Sequence, residues 1–130
     1  MSTLDTDRDA LQEMQDEHTA RIRELNDAFR TRTGLIAPWI ALGELVITRG
    51  VAAHGNDFIN RALEEVRAFS EFTESNDPWG EHDFGVFALD GVTLNWKVDC
   101  YDEERETASP DASDPAQTRR VLTVMLAEEY

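Results

Sequence analysis

The chain has 130 residues and a formal net charge of −15, from 27 acidic and 12 basic residues. That length suits one domain with a core large enough to need no disulfide or structural metal, and the single cysteine, Cys100, can form no intramolecular disulfide. Such an acidic excess argues against direct binding to a phosphate backbone, and no apolar run approaches the ~18 residues of a membrane span, so a soluble cytoplasmic protein is expected.

Residues 1–8 are polar. Leu11, Met14, His18, Ile22, Leu25 and Phe29 then recur at spacings of three and four. This predicts a helix over Asp9–Thr31 with Gly34 as its stop. His18 lies on the stripe without a second metal ligand one turn on, so it reads as a packed or boundary residue. The stripe reads first as core, although its length and charged flanks also allow a homodimer through this helix. Leu35–Leu42 is a connector broken by Pro38, with Trp39 as an anchor. Gly43–Gly50, β-branched and bounded by glycines, reads as a short strand. Val51–Gly55 is a small-residue turn. Asn56 or Asp57 caps a second helix through about Phe72, with Ile59, Ala62, Leu63, Val66 and Phe69 on one face.

Asp90-Gly91 stands between two strand-like runs and is the strongest hairpin signal in the chain, because a type I′ turn needs φ > 0 at both central residues. The register follows. Leu89 faces Val92, Phe87 faces Leu94, Gly85 faces Trp96, Asp83 faces Val98 and Glu81 faces Cys100. On the other face Val86 meets Asn95, Phe84 meets Lys97 and His82 meets Asp99. The first face is apolar and should carry the core, with Gly85 leaving room for the indole. Thr107–Ser113, with Pro110, is a loop. Asp114-Pro115 then predicts a last helix, Asp at the N-cap and Pro at N1, with Val121, Leu122, Val124 and Met125 inward. The expected fold is α+β: a small, mainly antiparallel sheet with a central β-hairpin packed against about three helices.

The charge is uneven. Residues 73–83 hold four acids and no base, and residues 99–114 hold seven acids and one base. Ten of the fifteen net negative charges thus come from 27 residues, and the hairpin brings both segments to its open end. Glu74, Asp77, Glu81, Asp83, Asp99, Asp102, Glu103, Glu104 and Glu106 should form one acidic patch, with Arg105 its only base and with Pro78, Trp79 and Tyr101 as apolar anchors. Carboxylates spaced along a β-ribbon can imitate a phosphate array and occupy a basic groove. Two other readings stand beside this one. His82, Asp83 and Asp99 could hold a metal in a metal-dependent enzyme, though EF-hand, HExxH and CxxC patterns are absent and His82 opposite Asp99 is more simply a cross-strand charge pair. A self-associating structural protein would use the Leu11–Phe29 stripe. Arg119 and Arg120 are placed to pair with the acidic loop, and Tyr130 to close the core.

The strings TESNDPWGEHDFG at Thr73–Gly85, LNWKVDCYD from Leu94 and DPAQTRRVLTVMLAEEY at the end, with NDAFR at Asn26–Arg30 and ITRGVAA at Ile47–Ala53, carry a family likeness. The chain resembles a bacterial family of small acidic proteins of unknown function, common in alphaproteobacteria and on their plasmids and phages. The likeness makes residues 26–130 the family-like core of a single domain and residues 1–25 a helical extension. It implies no activity or cofactor. Occurrence on such elements favours a role against host restriction or CRISPR components. The expectation is a non-catalytic acidic binding protein, a nucleic-acid mimic for the basic surface of a DNA- or RNA-binding protein.

Overall fold

The computed structural model describes residues 3–33 and 43–130. The connector expected over Leu35–Leu42, with Pro38 and Trp39, and the stop at Gly34 lie outside the described residues. In chain order the elements are α1 (Thr3–Arg30), β1 (Gly43–Ile47), α2 (Arg49–Ala52), α3 (Asn56–Ala68), β2 (Phe84–Leu89), β3 (Val92–Tyr101) and β4 (Arg119–Leu126). Single 3-10 turns lie at Pro115–Gln117 and Ala127–Glu129. The sheet order is β1-β4-β3-β2, with β1 parallel to β4 and the other two pairings antiparallel. Among the described residues, three helices and a four-stranded mixed sheet make an α+β fold. No helix among the described residues is long and apolar enough to cross a membrane.

The hairpin forms as its turn chemistry requires. Asp90 (φ 52°) and Gly91 (φ 76°) both hold left-handed backbone, and Leu89↔Val92, Phe87↔Leu94 and Gly85↔Trp96 pair across it. Leu94, Trp96 and Val98 are buried, and Phe87, Leu89, Val92 and Cys100 pack partly buried against the same core. Gly85 is needed there, because a Cβ would stand 2.4 Å from Trp96 Nε1 and 2.8 Å from Phe69 Cζ. Phe29 of α1, Val51 of α2, and Phe58, Ala62, Leu63 and Val66 of α3 complete the core on this face of the sheet.

Two expectations fail. The last helix is a strand. Asp114 does accept from the Ala116 amide (2.9 Å), but the turn it starts ends at Gln117 and the chain goes extended at Thr118. Arg120, Leu122, Val124 and Leu126 then alternate into the core, β4 filling the slot between β1 and β3. A short apolar run does not distinguish strand from helix by period, and here the β-branched Val121, Thr123 and Val124 fit the pleat. Second, α3 stops at Ala68 rather than near Phe72, and Gly55, not Asn56 or Asp57, stands at its N-cap. Its chain breaks so that Phe69 and Phe72 can both turn edge-on to Trp96, at 5.5 and 6.2 Å between ring centroids. The strand expected to reach Gly50 ends at Ile47, and the one-turn helix α2 takes the last residues of that run and the first two of the expected turn, which keeps Ala53–Gly55.

The stripe of α1 divides in two. Ile22 and Phe29 are buried, but Leu11 (58% exposed) and Met14 (65%) project beyond the core. His18 is exposed as well and pairs with Asp111 at 2.9 Å.

Candidate functional site

The loop that feeds the hairpin is built by its own side chains. The Thr73 amide donates to Asn76 Oδ1 (2.8 Å), the Asn76 amide to Thr73 Oγ1 (3.3 Å), and the His82 amide to Asp77 Oδ1 (3.2 Å). Gly80 and His82 take positive φ, so the chain turns sharply before β2. The segment Asn26–Arg30 of α1 then clasps this loop. Asn26 Nδ2 donates to the Glu81 carbonyl (2.9 Å), and His82 Nδ1 lies 2.9 Å from Asp27 Oδ1. Arg30 is buried, donates to the Val66 carbonyl (2.7 Å) at the end of α3, and reaches Asp27 at 3.2 Å. Its guanidinium lies 5.0 Å from the Trp96 ring and 5.5 Å from that of Phe72, which stacks on His82 at 3.7 Å.

This clasp holds Asp77, Glu81, Asp83 and Asp99 together at the open end of the hairpin. The crowding appears in the proton affinities of Glu81 and Asp83. Burial raises the pKa of Glu81, and the carboxylates of Asp83 and Asp77 push it further, with His18 opposing. The protein crowded around Asp83 raises its pKa too, although the residue still reaches solvent. Asp77 and Asp99 add to that, and its own amide and His82 oppose. Asp77 is buried against His82, and Asp99 is taken by Lys97 at 2.5 Å. No ion pair among the described residues reaches the carboxylates of Glu81 or Asp83.

The second acidic segment forms a separate turn. β3 carries it roughly 10 Å past Asp99, at ~3.4 Å per residue. Asp102 is structural: it accepts from the Glu106 amide (2.9 Å) and the Thr107 hydroxyl (2.8 Å), and these bonds hold its pKa low. Arg105 leaves the patch and pairs with Glu44 of β1. Glu103, Glu104 and Glu106 are exposed, as is Glu74, and their carboxylates meet no partner among the described residues. Trp79 stands 79% exposed beside the loop, and Tyr101 is half-buried.

Several expected pairings are replaced. His82 does not face Asp99 but sits between Asp27 and Asp77, so the set His82, Asp83, Asp99 is not assembled around one point. Among the described residues no group of three or more His, Cys, Asp or Glu side chains could hold a metal ion. Arg120 is buried and turns inward to Asn26 Oδ1 (2.8 Å) and the Ala112 carbonyl (2.6 Å), away from the acidic loop. Arg119 reaches the Thr118 carbonyl (3.4 Å). Tyr130 does not close the core; it is exposed and meets Phe84 edge-on at 5.8 Å. The clasp of Asn26, Asp27 and Arg30 was not anticipated. Its signal is three polar side chains flanking Phe29 on the inner stripe of an otherwise amphipathic helix.

Fold and site together define a small acidic α+β protein whose helix α1 pins the loop before a β-hairpin. A family model described as "Protein of unknown function (DUF3768)" matches residues 47–129, and the chain belongs to that family. The match takes in both acidic segments and leaves the clasp residues of α1 outside it. No curated protein and no solved structure matches the chain.

Proposed function

We propose that this is an acidic binding protein whose partner presents a basic surface of the kind that otherwise holds nucleic acid. One observation carries the reading. Glu81 and Asp83 are held by crowding that takes water from them, and beside the like charge of Asp77, without an ion-pair partner among the described residues. A basic partner supplies the missing counter-charge on binding. Glu74, Glu103, Glu104 and Glu106 extend the negative surface from exposed positions, and Trp79 supplies an apolar anchor beside it. The occurrence on plasmids and phages that the family likeness implies suits a mimic directed at restriction or CRISPR components. Recovery of partners from the native host tests this. The wild-type chain should retain a nucleic-acid-binding protein that rising salt or added nucleic acid releases. Reversal of Glu103, Glu104 and Glu106 to lysine, which breaks no contact in the fold, should lose it. Partners unchanged by the reversal, or without a basic surface, refute the proposal.

A second reading, self-association through α1, is favoured by the exposure of Leu11 and Met14 on one face of a helix that outruns its core. Light scattering on the full chain and on a chain lacking residues 1–17 decides it: a halved mass per particle supports it, and an unchanged one ends it.

A further inference from the structure

Among the described residues no strand pairs with the outer side of β2, which is an edge of the sheet. The two-residue turn makes Leu89–Val92 a hydrogen-bonded pair, and the Val98 amide bonded to the Asp83 carbonyl (2.8 Å) confirms the phase at the other end. The backbone groups of Phe84, Val86 and Ala88 therefore point away from β3, and none of them has a hydrogen-bond partner among the described residues. Edge strands ordinarily carry a lysine, a proline or a bulge that discourages pairing. β2, with the sequence FGVFAL, carries none, and the Val86 side chain is 48% exposed. Beside β2 runs a groove of about 280 Å³ against the end of α3, lined among others by Glu65, Phe69, Glu71, Val86 and Ala88. Neither carboxylate in it has an ion-pair partner among the described residues, and no basic side chain lines it.

We propose that the β2 edge is a strand-addition site for an extended, basic segment of a partner protein. The segment pairs with Phe84, Val86 and Ala88, and its lysines or arginines lie against Glu65 and Glu71. The sign of the partner's charge rests on the acidic-binding reading; the open edge does not. A second copy of this chain is the wrong occupant, because antiparallel addition of β2 to itself would join two chains that each carry a net charge of −15 and would bring no basic side chain to the Glu65 and Glu71 groove that is lined by none.

The probe is a synthetic heptapeptide of alternating lysine and valine, added to the isotope-labelled full chain. Hydrogen exchange at the Phe84, Val86 and Ala88 amides should slow by at least about tenfold, and a copy of the peptide N-methylated at every residue, which blocks both of its edges, should give no protection. Val86→Pro should abolish binding with the spectrum otherwise retained, because the Val86 amide lies outside the β2–β3 ladder. Val86→Lys should do the same by charge, and it covers the case in which proline perturbs the strand. Peptide binding without protection at these three amides overturns strand addition and leaves the acidic-binding reading standing. Equal binding of a glutamate–valine peptide keeps the edge and overturns the charge assignment. No binding of the lysine peptide, or dimerisation that Val86→Lys abolishes, overturns the proposal.

Discussion

Trp96 is fully buried above the one position in β2 that has no side chain, and this pairing locates the hairpin in the core. Gly85→Ala places a methyl group 2.4 Å from the indole nitrogen and 2.8 Å from Phe69 Cζ, so both rings must shift to admit it. The expected cost is ~1–3 kcal/mol, read as a lower denaturant midpoint with an unchanged slope. Glu81 argues in the opposite direction. Its pKa is raised in the folded chain, so the native state holds more protons than the unfolded one through the carboxylate range. Stability therefore falls as pH rises through that range, and the deficit persists above it. Glu81→Gln should melt higher than wild type at pH 7, and the two should converge near pH 3, where both are neutral at this position. Thermal unfolding across pH checks this. The close fit at Gly85 could be read in advance from the turn and the alternation. The crowding at Glu81 could not, because it depends on α1 pressing the loop from outside the hairpin.

Among the elements, α1 performs two tasks along one continuous helix. Its last turns bury Ile22, Asn26, Phe29 and Arg30, whereas every described residue from Asp7 to His18 is exposed. Removal of residues 1–17 should change the unfolding free energy by less than ~1 kcal/mol, since the described side chains it removes, residues 7–17, are all exposed. Chemical denaturation of the truncated chain measures it. The heptad-like stripe from Leu11 to Phe29 gave a correct helix but a misleading core, because periodicity shows which face is apolar and not what covers it. The last helix was misread for a related reason. Asp114-Pro115 is a good helix start, and it does open a 3-10 turn, but Arg120 to Leu126 complete the sheet. Pairing with β1 and β3 outweighs the local start signal, and both partners are remote in sequence.

Across the whole molecule, charge and architecture are coupled through one turn. Asp90-Gly91 brings residues 73–83 and the segment after Tyr101 to the same end of the sheet, and the excess of acids gathers there. The structure then sorts these acids. Asp77, Asp99 and Asp102 are held by His82, Lys97 and a local turn, while Glu81, Asp83, Glu103, Glu104 and Glu106 have no compensating cations among the described residues. The sequence alone determined the acidic character, the hairpin and its register from Phe84 to Leu89, the apolar face with Trp96, and the presence of α1 and α3. All of these follow from local rules: side-chain period, turn chemistry and composition. Only the tertiary structure decided that residues 119–126 form a strand parallel to β1, that Asn26, Asp27 and Arg30 clasp the loop before the hairpin, and that β2 is left as an open edge. Each of these depends on groups tens of residues apart meeting in space, where burial and hydrogen-bond satisfaction outweigh local preference.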